Sequence, residues 1–261
     1  MRAPAVARQL LCAGLAFGSS SGAAAQAPVA PVAPVPTRDR LRQIVQDECV
    51  PHFLQQHDPA PCVRVVVEGR GAQSAGVAAL ADRKSGAHFL LIPIPTMLGI
   101  ESPEARASGV LNYFAAAWDA RDVLATVVGR EVPAQFVGLA VNQRAARSQD
   151  QMHIHVSCLG RPVYEAFTHA AARIGTRWSA LEIGGWRYQA LRIMGTDLNS
   201  ANPVELLAAG VPGAGEALEQ YTMLVAGARF AEGPGFILLA AAAVPGAELL
   251  LDAGCALALK P

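Results

Sequence analysis

The sequence predicts an α+β fold, an antiparallel sheet with helices packed on it. Three observations carry this. Strand-like and helix-like segments mix without the regular alternation of a parallel sheet. Two pairs of segments read as antiparallel hairpins, "AQFVGLAVN" with "QMHIHVSC" and "YTMLVAGARF" with "FILLAAAAV". The second pair is joined by "AEGPG", a link made of turn residues.

The elements follow in order. "TRDRLRQIVQDEC" predicts a first helix, with Leu41, Ile44, Val45 and Glu48 at helical spacing and Thr37 as the cap candidate. "VPHFLQQHDPAP" reads as a polar, Pro-rich turn. "VRVVVEG" (Val63–Gly69) and "HFLLIPI" (His88–Ile94) read as strands; the second is apolar on both faces and so belongs at the centre of the sheet. "ESPEA" opens a helix, with Ser102 able to cap and Pro103 at the first position. That helix is expected to run to about Val128, with Leu111, Phe114, Ala115 and Trp118 on one stripe and Gly129 ending it. "QRAARSQD" is a polar connection. "RPVYEAFTHAAARIG" reads as a helix and "YQALRIM" as a short strand. "NPVELLAAGV" reads as a helix capped by Asn202.

The 261 residues are 52% hydrophobic and 16% charged, enough for one domain of about 200 residues with a sizeable core. Lys+Arg and Asp+Glu balance at 21 each, so the chain carries no electrostatic footprint for nucleic acid. No apolar run reaches the ~18–20 residues of a clear membrane span. "FILLAAAAVPGAELLL" is apolar enough to touch a membrane surface, but sheet core accounts for it equally well.

The N-terminus reads as an export signal over residues 1–27. Arg2 and Arg8 supply the positive end, "LLCAGLAFG" (Leu10–Gly18) the apolar core, and "AQA" (Ala25–Ala27) the small residues at a cleavage site. The alternative is an uncleaved anchor. "PVAPVAPVPT" (Pro28–Thr37) is an extended spacer, and the folded domain is expected over 38–261. Outside the signal lie Cys49, Cys62, Cys158 and Cys255. An even count in an exported chain points to disulfides, with three connectivities open. Closeness in sequence favours Cys49–Cys62, which leaves Cys158–Cys255; free buried thiols are the alternative.

The chemistry concentrates in "SQDQMHIHVSCLG". In a strand, Met152, Ile154 and Val156 point to one face, and Gln151, His153, His155 and Ser157 to the other. That second face is polar throughout and is expected to border a cleft or solvent. Two imidazoles on it stand about 6.6 Å apart by backbone rise, right for one ligand to touch both. A metal would need a third and usually a fourth ligand, and no HExxH or CxxC supplies them. A two-histidine phosphodiesterase would need two separated His-x-Ser/Thr tripeptides, and "HVS" has no mate. Nucleophilic catalysis on phosphorus needs one neutral imidazole to attack and further donors to hold the phosphate oxygens. The bland alternative is a pair of solvated histidines with no role.

"QMHIHVS" resembles the histidine triad (HIT) signature, His-φ-His-φ-His-φ-φ with φ apolar, with Gln151 in place of the first His. "FVGLAVN…SQDQMHIHVS" is similar to that family's strand ending in Asn, serine-bearing loop and histidine strand. "HFLLIPIPTMLGIESPE" resembles its earlier strand ending in Ile-Pro. A narrower resemblance covers more of the chain. "LRQIVQDECVPHFLQQHDPAPC", "HFLLIPIPTMLGIESPE" and "QDQMHIHVSC" together are similar to the bacterial CDP-diacylglycerol pyrophosphatases, HIT-like enzymes facing the periplasm at the inner membrane.

The resemblance implies a HIT-like sheet, His153 as the nucleophile and His155 as the phosphate contact. It implies Ser148, Asn142 and Gln151 near the substrate, with the nucleophile's second nitrogen held by the backbone carbonyl at position 151. Arg147 and Arg144 are further candidates for phosphate contact. It implies hydrolysis of CDP-diacylglycerol, met at the membrane surface, to CMP and phosphatidate, with no cofactor and no obligatory metal. The alternatives are a HIT-type hydrolase of a soluble nucleotide, or a periplasmic module that binds nucleotide or metal without turnover. His88 either approaches the site or stands at the surface as a strand-start residue. Trp186 and Tyr188 are expected in the core or rim.

Overall fold

A helical segment lying across one end of the sheet opens the folded chain. The computed structural model describes residues 37–68, 75–82, 85–107 and 109–259. The expected signal and most of the spacer lie outside them. Arg40–Gln43 (α1) and Val50–Gln56 (α2) are joined by a π-helical stretch, Ile44–Cys49. The stretch ends two residues before Pro51, which has no N–H to continue the ordinary ladder. The helix therefore takes in "VPHFLQQ", expected as turn, and stops at His57 in the left-handed conformation.

Ten strands form the described sheet: Arg64–Glu68 (β1), Ala75–Ala81 (β2), His88–Pro93 (β3), Val137–Val141 (β4), Ile154–Leu159 (β5), Ser179–Ile183 (β6), Trp186–Met194 (β7), Tyr221–Phe230 (β8), Gly233–Ala242 (β9) and Leu251–Asp252 (β10). Their order is β1-β2-β3-β5-β4-β8-β9-β7-β6, with β10 beside the end of β5. Each pairing is antiparallel. The α+β class and the two expected hairpins are present, and "FILLAA" (Phe236–Ala241) lies buried in an interior strand of the sheet.

The long helix expected from Ser102 to Val128 is broken. Pro103–Ala105 makes a single 3-10 turn, and the Ser102 hydroxyl accepts from Leu98 N at 3.0 Å. Helix formation restarts at Asn112, whose side chain accepts from Phe114 N and Ala115 N. Tyr113–Asp119 (α3) and Val123–Val128 (α4) follow, ended by Gly129. Arg161–Ala170 (α5) and Pro203–Gly210 (α6) match expectation, and Asn202 caps the latter.

The sheet faces divide the interior. Phe89, Leu91, Leu139, Ile154 and Val156 pack on one side with Phe114, Trp118 and Leu124. On the other, α5 covers Leu159, Leu224 and Ile237 through Val163 and Phe167. The N-terminal helix covers Val65, Ala78 and Ile92 on that same side through Leu41 and Val45. Between these two coverings lie β3, β5 and β4, and there the histidines point. Cys49–Cys62 staples the N-terminal helix, and Cys158–Cys255 ties β5 to the C-terminal segment.

Candidate active site

Register sets the cluster. Leu90 opposes His155 and His88 opposes Ser157, so His88 and His155 are diagonal neighbours on one face. Their rings lie nearly parallel, with His88 Nε2 3.0 Å from His155 Nδ1. The His153 ring stands edge-on to His155 at a centroid distance of 4.9 Å. His153 itself precedes the regular strand.

The face expected to border a cleft or solvent is largely roofed over and opens only through crevices. His153 is 7% and His155 6% exposed. Loop 94–102 and the turn Ala247–Leu250 roof it over, so each ring opens onto a crevice. His153 lines a narrow one, with room for about one water molecule, together with Leu98, Gly99, Asn142 and Arg147. His155 lines a wider one with Ser85, His88, Ser157 and Glu248.

His153 Nδ1 lies 2.7 Å from the Gln151 main-chain carbonyl. A carbonyl only accepts, so Nδ1 carries the proton and Nε2 keeps its lone pair. Burial first, then the Arg147 and His88 charges, push His153 below its ordinary value, against the pull of the Gln151 carbonyl and Glu248. His155 is pushed down to about 2, by burial first and then by His153 and His88. His88 is lowered too, by burial first, although Asp82 and Glu248 act the other way. Two carboxylates approach the cluster: Asp82 Oδ2 is 3.5 Å from His88 Nδ1, and Glu248 Oε2 is 3.3 Å from His155 Nε2. Desolvation outweighs both, and the three rings are neutral at neutral pH.

Arg147 is 6% exposed and meets Glu101 Oε1 at 2.7 Å. A side chain at Gly99 would run into both partners of that pair. Asn142 Oδ1 accepts from Glu248 N and so holds the turn that carries Glu248. A Cβ at Gly246 would lie 2.6 Å from that oxygen, so the turn needs glycine there. The Gln151 side chain, expected near the substrate, is 1% exposed, and its amide donates to Pro93 O and Pro95 O at 2.9 Å each. Neither N–H is left for a ligand. Ser148 is exposed and stands outside the lining of either crevice. Arg144 is exposed as well. Tyr188 is buried under α5 and Trp186 is exposed at a hairpin end.

His88 is the member that sequence left undecided, and Glu248 and Asp82 were missed. Strand alternation could have placed His88 on the same face as His155 only with the register known. Among the described residues no group of three or more His, Cys, Asp or Glu side chains is arranged to hold a metal ion.

The family model described as CDP-diacylglycerol pyrophosphatase matches residues 36–259. A curated CDP-diacylglycerol pyrophosphatase of Yersinia pestis is 37% identical over 189 residues, covering 72% of this chain and 71% of the relative. The chain belongs to the CDP-diacylglycerol pyrophosphatase family.

Proposed function

We propose that the protein hydrolyses CDP-diacylglycerol to CMP and phosphatidate through a nucleotidyl-histidine intermediate. The family supplies the substrate class. The observation that supports the mechanism is the Gln151 carbonyl on His153 Nδ1, which leaves Nε2 as the basic nitrogen of a neutral ring.

Nε2 attacks the phosphorus next to cytidine. The bond from that phosphorus to the bridging oxygen breaks, and phosphatidate leaves with the electron pair. It is a phosphate monoester, stable as an anion, so departure needs little help from an acid. Water then attacks the same phosphorus and CMP is released with Nε2 restored. The diphosphate enters from the wider crevice, where neutral His155 serves as a hydrogen-bonding contact, and the buried Arg147 beside His153 supplies positive charge. Asn142 and Gln151 position the site rather than touch the substrate. The scheme is that of a HIT-like enzyme, and residue 151 enters it through its main chain, which the Gln does not alter.

Two disulfides fit an exported chain, and among the described residues no helix is long and apolar enough to cross a membrane. We place the enzyme at the periplasmic face of the inner membrane, delivered by residues 1–27, with 28–37 as spacer and 38–261 as the catalytic domain.

Mass spectrometry after an acid-free quench tests the intermediate. A cytidylyl group on the Gln151–Cys158 peptide is expected; its absence at a time when CMP is accumulating rejects it. Preference for CDP-choline or dinucleotides over CDP-diacylglycerol by a large factor would remove the lipid substrate.

A further inference from the structure

Three segments border the openings to the histidines, and each turns a side chain out to water. Leu98 stands on loop 94–102 between the buried Met97 and Gly99; it lines the His153 crevice and is 46% exposed. Leu249 follows Glu248, which lines the His155 crevice, and is 71% exposed. Arg144 is exposed on the loop that also brings Arg147 to His153, and it forms no ion pair among the described residues. Asp150, which senses its charge, is already bonded to Arg38 at 2.8 Å. Glu248 is drawn inward, with Oε2 3.3 Å from His155 Nε2.

The three segments are tied together. The Gln143 amide donates to Val244 O, and Asn142 Oδ1 accepts from Glu248 N. These bonds join the loop bearing Arg144 to the turn bearing Leu249. Arg147 meets Glu101, on the loop bearing Leu98.

Single exposed leucines are ordinary on a protein surface. These two differ in standing at the mouths through which a diphosphate reaches the rings. The substrate proposed above carries two acyl chains, which stay in a bilayer because exposing their methylenes to water is costly. Its diphosphate is short, so the mouth that admits it lies at the bilayer surface.

We propose that Leu98, Arg144 and Leu249 form a lipid-docking rim. The two leucines enter the outer part of the bilayer beside the openings, and Arg144 meets the phosphate of an anionic headgroup. The attachment is weak and reversible, and it holds the crevices over a lipid while the rest of the domain stays in water. The placement rests on CDP-diacylglycerol being the substrate; affinity for a lipid surface needs no turnover and is measured without it.

The test uses the full chain and vesicles of phosphatidylcholine and phosphatidylglycerol that contain no CDP-diacylglycerol. Leu249→Trp places a fluorophore on the rim. Val127→Trp places one at another exposed position, on α4 at the far side of the sheet. On vesicles the Leu249→Trp emission should shift to the blue, relative to wild type, and be quenched by lipid brominated in its acyl chains, while Val127→Trp should do neither. An unshifted Leu249→Trp emission overturns the rim. A blue shift that grows with protein concentration before any vesicle is added shows that copies of the chain cover this face, and overturns it as well. Arg144→Gln should weaken vesicle binding about fivefold, and only when phosphatidylglycerol is present; unchanged binding removes Arg144 from the rim. Turnover gives a second reading. Leu98→Ser and Leu249→Ser should each lower hydrolysis of long-chain CDP-diacylglycerol in vesicles about tenfold more than hydrolysis of a short-chain form dissolved as monomers. Equal loss on both forms assigns these residues to the crevices alone and overturns the rim. If the wild-type chain hydrolyses neither form, the substrate reading fails, and the emission of Leu249→Trp still decides the rim.

Discussion

The main-chain carbonyl of Gln151 lies 2.7 Å from Nδ1 of His153. The orientation of the His153 ring thus comes from a group that every amino acid carries. The residue at 151 can change without removing it, which accounts for a site that keeps its geometry with glutamine at this position.

His153→Asn or His153→Ala should lower CMP release by several orders of magnitude, as removal of a covalent nucleophile does. Activity within tenfold of wild type would reject His153 as the attacking group.

Gln151→His should leave turnover within about tenfold, because the carbonyl remains. Stability should fall. The glutamine amide donates to both Pro93 O and Pro95 O, while a neutral imidazole has one N–H to give. One buried carbonyl loses its donor, at a cost of about 1–3 kcal/mol, readable in denaturant titration.

Arg147→Met should destabilise the fold by about 3 kcal/mol by leaving the Glu101 carboxylate without its cation. The side chains are 4% and 19% exposed, so water replaces little of the loss. The double variant with Glu101→Gln should recover part of it, and a double-mutant cycle measures how much. If both single variants match wild-type stability, the pair is not a structural tie.

The histidine cluster sets a pH dependence. His88, His153 and His155 all have folded values below the ordinary 6.5, chiefly through burial. The unfolded chain therefore binds protons that the native state does not. Stability is full above about pH 6.5 and falls as pH drops below it, by up to about 1.4 kcal/mol per pH unit for each ring. Denaturant midpoints at pH 7.5 and 5.5 check this, and a flat or rising profile toward acid would contradict it. Activity should follow the same sign, because protonation removes the Nε2 lone pair of His153.

The histidine strand and its partner were legible because alternation is a local property. His153 and His155 share a face by counting residues, and Asn142 joins them because its strand pairs with theirs. What joins from elsewhere was not legible. His88 is 67 residues from His155, and only the β3–β5 register brings them to 3.0 Å. Glu248 arrives on a turn that carries no motif. The alanine-rich "AGVAALA" strand gave no alternating signal, so β2 went unread. β6 escaped notice too, because "SALEI" is polar at an edge. The broken 102–128 helix shows a cap losing to its context. Ser102 binds backward to Leu98, and Asn112, unmarked by any proline after it, starts the helix instead.

The turn bearing Glu248 is seated by Asn142 and lies seven residues before Cys255, which is bonded back to Cys158. The crevice therefore has a wall that the chain supplies only after every histidine of the cluster. A nascent chain stalled at residue 240 would already own every histidine yet lack that wall. Competence therefore waits on translation past Cys255 and on an oxidant that joins it to Cys158.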